Sequence, residues 1–224
     1  MTCTIVVPLL NERQQLPELS THLRALDEQA GCEVILVDGG SSDGSVEQAT
    51  AAGLHVISAP RGRARQMNAG AAIASGDWLL FLHADTRLPP GALEAIRQAS
   101  ATACHWGRFD LRISGDSLWF PVIATLINWR SRLSGIATGD QGIFVRRDLF
   151  ERLGGFPVQP LMEDIELSKR LRKISRPACI GTRATTSGRR WQKYGVVRTV
   201  LLMWRLRFAY WRGVPAELLA RRYD

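Results

Sequence analysis

No Cys-x-x-Cys pair occurs in the chain, and its 4 cysteines, Cys3, Cys32, Cys104 and Cys179, are scattered with no histidine at zinc-finger distance. That pattern speaks against a zinc site or a disulfide framework and predicts reduced thiols in an intracellular protein. There is no internal repeat and no low-complexity tract, so collagen-like, mucin-like and repeat architectures fall away. The N-terminus enters an apolar strand almost at once, without the basic region and apolar core of a secretion signal. The most apolar run, Leu118 to Ile127, contains Pro121 and falls well short of the ~20 residues that span a bilayer. It reads as a packed or interfacial helix. Neither Gly-x-Gly-x-x-Gly nor a Gly-Lys-Ser phosphate loop is present, which argues against a dinucleotide enzyme or a P-loop ATPase.

What is present is 224 residues with 46% apolar content, enough for one large domain, alone or with an appendage. Charge is uneven: residues 1–60 carry 2 Arg against 8 acids, and residues 181–224 carry 10 basic against 2 acidic residues. A basic C-terminal tail fits an anionic partner, whether membrane surface, diphosphate or nucleic acid, and fits a solvated face equally well.

Thr4 to Leu10, with Ile5-Val6-Val7 inside it, has the β-branched density of a central strand, Pro8 fitting only toward its exit. Leu16, Leu19, Leu23 and Leu26 then recur at three and four residues, the spacing of an amphipathic helix, and Gly31 closes it. Glu33 to Asp38 is a second apolar strand. Gly39-Gly40-Ser41-Ser42-Asp43-Gly44 follows it with turn residues able to cap another helix. Strand, helix and strand in succession predict an α/β fold. Val56 to Ser58 is a third short strand. Trp106 to Ile113 alternates, with Arg108, Asp110 and Arg112 on its polar face, and predicts a half-exposed antiparallel strand.

The chemistry gathers in three places. Trp78 to Leu82 reads as a buried parallel strand that breaks into His83-Ala84-Asp85-Thr86-Arg87. Ligands of open α/β sheets sit outside the carboxyl ends of strands. There His83 and Asp85 can share a divalent cation that carries nucleotide phosphates, or can simply end a strand and cap the next helix. Arg61, Arg63 and Arg65 lie on a Gly-bearing loop that runs into an Ala-rich helix, suited to an anion or merely solvated. Beyond the turn Gly154-Gly155-Phe156-Pro157, Glu163, Asp164 and Glu166 crowd a helix N-terminus. The helix dipole favours acids there, and like charges in close company also raise one carboxyl toward the range of a general base.

Pro8-Leu9-Leu10-Asn11-Glu12, Val37 to Gly44, Arg65 to Gly70, Leu82 to Asp85 and Glu163-Asp164, in this order, resemble a family 2 glycosyltransferase of the GT-A fold. Within it, the phrase His83 to Pro89 and the short chain are similar to the small bacterial rSAM/selenodomain-associated transferase 2 proteins. The resemblance implies a Rossmann-like, mixed and mostly parallel sheet flanked by helices. Residues 1–190 would form the transferase domain, with 1–88 as nucleotide-binding half and 89–190 as acceptor half. Residues 191–224 would form a basic amphipathic C-terminal helical segment.

Roles follow residue by residue from the same resemblance. Pro8, Asn11, Glu12 and Asp38 would meet the base and ribose of a nucleotide-diphospho-sugar, and Arg65, Asn68, His83 and Ala84 would line the donor site. Asp85 with His83 would hold Mg²⁺ or Mn²⁺ bridging the diphosphate. Asp164, beside Glu163, would deprotonate an acceptor hydroxyl for an inverting attack on the anomeric carbon. Two departures stand out: His83 occupies the place of the first acid in the family's Asp-x-Asp motif, and Asp38 is followed by Gly39 instead of a second Asp. Arg190-Trp191 matches the end of the Gln-x-x-Arg-Trp motif of processive relatives, which implies contact with the diphosphate and acceptor channel.

Past that motif, Val197, Leu201, Trp204, Phe208 and Trp211 fall on one helical stripe and Arg198, Arg205 and Arg212 on another. Such a helix either packs on the domain or lies on an anionic membrane, bringing a cytoplasmic enzyme to a lipid-linked acceptor at the membrane's inner face. Two other functions compete. A nucleotidyltransferase of related fold shares the sheet and metal logic but needs a Gly-rich loop with Lys, absent here. A non-catalytic membrane-surface module with a degenerate site is motivated by His83 and the basic tail. No nucleic-acid partner is expected, since the basic residues gather on no recognised motif.

Overall fold

Four short apolar runs build the first half of an eight-stranded mixed sheet: β1 (Cys3–Leu9), β2 (Glu33–Asp38), β3 (His55–Ser58) and β4 (Trp78–Phe81). They pair in parallel in the order β3-β2-β1-β4, in a computed structural model that describes residues 1–223. The connecting helices are α1 (Leu16–Ala30), α2 (Ser45–Ala51) and α3 (Arg63–Ile73). Every residue of β1 is buried because helices cover both faces of the sheet. Ile5, Val7 and Leu9 pack with Leu16, Leu19 and Leu23 of α1, and the alternate Val6 packs with Ala64, Met67 and Ala71 of α3. Approach on the α3 side is close: a Cβ at Gly70 would come within 2.5 Å of Val6 and 2.9 Å of Val37.

The second half adds β5 (Thr86–Arg87), β6 (Trp106–Ser114), β7 (Ile143–Arg146) and β8 (Ala178–Ser187), and extends the order from β4 through β7, β6 and β8 to β5. β7 runs antiparallel to both β4 and β6, and β8 runs parallel to β6 and antiparallel to β5. The helices here are α4 (Ala92–Ser100), α5 (Trp119–Ser134), α6 (Arg147–Arg152) and α7 (Glu163–Arg172), followed by α8 (Arg189–Tyr194), α9 (Val196–Trp211) and α10 (Ala216–Ala220). The sheet is a curled α/β sheet of mixed sense, as the sequence predicted.

Two local expectations are corrected and one strand is added. The alternation of β6 placed Arg108 on an exposed face, but its side chain is fully buried, paired with Asp110 and donating from Nη2 to Asn128 O at 3.3 Å. α5 lies across that face, so Asp110 is half-buried and Arg112 and Ser114 near the strand's end are exposed. The arginine loop is shorter than expected, because α3 already begins at Arg63. β8, a ten-residue strand, had no sequence signal: Ala178–Ser187 is made of small and polar residues and becomes strand by lying between β6 and β5.

The C-terminal stripe has two faces. Leu206 of α9 and Leu219 of α10 are buried against Leu161, Met162 and Ile165, while Val197, Leu201, Trp204, Phe208 and Trp211 point outward. Among the described residues no helix is long and apolar enough to cross a membrane.

Candidate active site

The carboxyl ends of β2, β1 and β4 lie side by side. Leu9 pairs with Asp38, Val6 pairs with Phe81, and Leu82 N still donates to Val6 O at 3.1 Å. His83, Ala84 and Asp85 therefore leave the sheet near the height of Asp38, two strand spacings or about 10 Å across it. Asp38 is buried, and its carboxylate accepts from the backbone N–H of Gly40 at 2.8 Å and of Ser41 at 3.1 Å, which orders the loop at 39–44. Asn11 sits in the left-handed region at φ 53, where asparagine is better tolerated than most residues. Its Oδ1 accepts from Ser42 N and its own N–H donates to Ser41 Oγ, both at 2.9 Å. Pro8 lies within β1 opposite Val37. Burial pushes the Glu12 carboxyl above its ordinary value against the pull of Arg189, 3.5 Å away.

A glutamine that the sequence did not single out fastens this corner. Buried Gln66 on α3 donates from Nε2 to Leu9 O at 2.8 Å and to Val37 O at 2.7 Å, satisfying carbonyls where β1 and β2 end.

The acidic helix arrives through β7. Ile143 faces Phe81, so the one-turn 3-10 helix Gly139–Gln141 is laid against the end of β4. The His83 ring covers Gly139 so closely that no side chain fits at 139. Gly139 N donates to Asp164 Oδ2 at 2.9 Å, and Ile165 N donates to Oδ1 at 2.7 Å. Met162, at the N-cap of α7, has φ 67, a left-handed conformation that costs an L-residue about 1 kcal/mol or more. Burial, with Arg63 beside it, pushes the His83 imidazole below its ordinary value against the opposing charges of Asp85, Asp140 and Asp164. Glu163 is only 3% exposed and pairs with Arg63 Nε at 3.3 Å. Burial first, then the neighbouring Asp164, pushes its carboxyl up to about 7 against the pull of Arg63.

That shift predicts a pH dependence. Free glutamic acid titrates near ~4.3, so between there and about pH 7 folded Glu163 keeps a proton that the unfolded chain has lost. Stability contributed by this group is complete below the unfolded value and is lost as pH rises to about 7, by up to ~3 kcal/mol. Thermal melts of wild type and Glu163→Gln at pH 4.5 and 7.5 should show a smaller decline in the variant. An equal decline in both would remove Glu163 as the cause.

Other expected site residues are placed differently. Arg65 is exposed, its Nη1 donating only to Arg61 O at 3.4 Å. Asn68 spends its amide on Phe156, donating to its carbonyl at 2.8 Å and accepting from its N–H at 2.9 Å, and so holds the Gly154-Gly155 turn. Ala84 is buried, with its carbonyl taken by Arg87 Nη1 at 2.8 Å. Arg190 stacks 3.7 Å above the Tyr223 ring, and Trp191 packs with Leu111, Ile113 and Phe120. From that segment Arg189 is the residue that reaches Glu12. A recess bordered by Asp77, His105, Arg146 and Arg147 opens at the opposite end of β4 and shares no residue with this cluster.

Among the described residues, no three His, Cys, Asp or Glu side chains are grouped to hold a metal ion by themselves. Asp85 with a neutral His83 still offers a carboxylate and a ring nitrogen. Divalent ions held by one or two protein ligands complete their shells with substrate phosphates, so the pair fits a metal that arrives with a nucleotide.

Residues 4–154 match the family described as Glycosyl transferase family 2. The chain belongs to this family. Among curated relatives, the undecaprenyl-phosphate 4-deoxy-4-formamido-L-arabinose transferases of Sodalis glossinidius and Salmonella dublin are each 33% identical over 159 residues, covering 64% of this chain and 47% of theirs. The chain thus spans about half the length of the curated relatives it matches. Among solved structures, mannosyltransferase PcManGT from Pyrobaculum calidifontis, in complex with GDP-Man and Mn²⁺, is 20% identical at TM-score 0.67, covering 92% of this chain and 60% of that one. Glucosyl-3-phosphoglycerate synthase from Mycobacterium tuberculosis, in complex with Mg²⁺ and UDP, is 19% identical at TM-score 0.59, covering 83% and 70%. At these identities the structural likeness establishes the GT-A fold of this family 2 chain.

Proposed function

We propose that the chain transfers a sugar from a nucleotide-diphospho-sugar to an acceptor hydroxyl with inversion, in the cleft bordered by Asp38, Asp85 and Asp164. The observation that carries the reading is the chain of contacts from β4 to α7: His83 lies on Gly139, whose N–H fixes the Asp164 carboxylate. An acid from the far end of the sequence is thereby held next to the metal-type pair at a strand end. Family membership favours transfer over the nucleotidyltransferase and non-catalytic readings.

In this reading residues 1–88 serve the donor and 89–190 the acceptor. The loop ordered by Asp38, with Asn11 and Glu12, receives base and ribose. Mg²⁺ or Mn²⁺ at Asp85 and His83 would neutralise charge developing on the diphosphate. Asp164 takes the acceptor proton, its two backbone N–H donors holding the carboxylate in place. Arg189 stands near Glu12 at the donor entrance. The acceptor is lipid-linked in this reading, as the name of the undecaprenyl-phosphate relatives supports, and the enzyme works at the inner face of an anionic membrane.

Product analysis with UDP- and GDP-sugars plus Mn²⁺ tests the class. Release of nucleoside diphosphate supports it, whereas release of pyrophosphate, or of no product with any donor, overturns it.

A further inference from the structure

Phe120, Ile123 and Ile127 of α5 share one apolar cluster with Val196 and Val200 of α9. Positions three, four and seven residues apart recur on one side of a helix, and from this cluster Ile127 leads to Arg130 and Val200 leads to Arg207. Arg130 feels the charges of Arg207, Asp140 and Asp164, and burial together with Arg207 lowers its hold on its proton. Its Nε and Nη2 are buried without a partner among the described residues, as is Asp140 Oδ1. A buried guanidinium with two idle donors beside a second cation is costly unless an anion completes the site.

The outer faces of the same two helices are apolar. Trp119 is 63% and Trp129 67% exposed on α5, and Trp204 is 71% and Trp211 74% exposed on α9. Neighbouring Leu126 and Phe208 are exposed too. Exposed apolar side chains gathered on these helices mark a contact region, and tryptophan favours the membrane interface. Exposed Arg198 and Arg205 lie on α9 and exposed Arg212 caps its C-terminus, a charge that complements anionic headgroups.

Resting on the transferase reading, we propose that Arg130 and Arg207 hold the phosphate of an acceptor lipid, a phosphate monoester on a long apolar chain, with the chain lying along the outer faces of α5 and α9. The acceptor hydroxyl is then a P–OH. An acceptor phosphate oxygen bonds to the anomeric carbon, and the bond from that carbon to the diphosphate oxygen breaks, its electron pair leaving with the nucleoside diphosphate. The proton of a monoanionic acceptor passes to Asp164.

Co-sedimentation with phosphatidylcholine vesicles tests this, comparing phosphatidic acid, a phosphate monoester, with phosphatidylglycerol, a diester, at matched surface charge. The wild type should prefer phosphatidic acid by about 10-fold, the value of one charge-assisted hydrogen-bonded contact. Arg130→Met and Arg207→Met should each erase that preference, while paired Trp129→Ser and Trp204→Ser should weaken binding to both vesicles. Arg130→Met should also melt no lower than wild type, since it removes a buried charge that no protein group satisfies. Equal binding to the two lipids, a preference untouched by both arginine changes, or a lowered melting temperature for Arg130→Met would overturn the site. Displacement by inorganic phosphate at the lipid's own concentration would assign it to free phosphate instead. Stabilisation by UDP or GDP with Mn²⁺, measured on the same samples, reports the donor site separately: a vesicle failure with that signal intact sinks the lipid-phosphate site alone.

Discussion

Asp164→Asn is expected to slow sugar transfer by about 10²–10⁴-fold, the usual contribution of a positioned general base. An amide cannot take up the acceptor proton, yet it is nearly isosteric with the carboxylate. One of the two N–H groups that Asp164 now satisfies, from Gly139 or from Ile165, would face an NH₂ in place of an oxygen. The structural penalty should stay near ~1–3 kcal/mol, the cost of one unmet donor. Single-turnover transfer measured alongside thermal melts separates the two effects. A variant that keeps more than a tenth of wild-type turnover, with an ordinary melting curve, would displace Asp164 from the role of base.

Asp85→Ala should cancel the metal-dependent part of donor binding. Ligand at about 100 times its dissociation constant stabilises a protein by ~2.7 kcal/mol, which for a domain of this size raises the melting temperature by roughly 5–10 °C. With UDP or GDP and Mn²⁺, wild type should show a shift of that order. Asp85→Ala should show less than a quarter of it, whereas nucleotide without metal should affect the two proteins alike. His83→Ala should fall between them, because His83 both offers a ring nitrogen and covers Gly139. An undiminished metal-dependent shift in Asp85→Ala would place the cation elsewhere.

Much of the fold was legible because its strands carry their signal locally. β1, β2 and β4 are short β-branched or apolar runs buried on both faces, each ended by Asn, Asp or His. α1 shows its leucine spacing and its left-handed Gly31 at the C-cap. β8 carried no such signal, since its strand state comes from its neighbours and not from its own residues. Arg108 misled for a related reason: alternation reports one covered face, and α5 covers the other. The candidate acids could be placed at strand and helix ends from position along the chain. Gln66 and Arg130 could not, and Arg63 was visible only as an arginine of an anion-suited loop, because their significance lies in what the fold sets opposite them: two strand carbonyls, a second arginine, and Glu163. From the segment of the Arg190-Trp191 match, Arg189 is the member that reaches Glu12.

α3 binds the cleft together in a way that bears on motion. Within six residues it pairs with α7 through Arg63, clasps β1 and β2 through Gln66, and grips the turn before α7 through Asn68. Such a strut leaves little freedom for the donor floor and the helix bearing Asp164 to hinge apart. On the transferase reading, substrate would enter and product leave a cleft whose framework stands still.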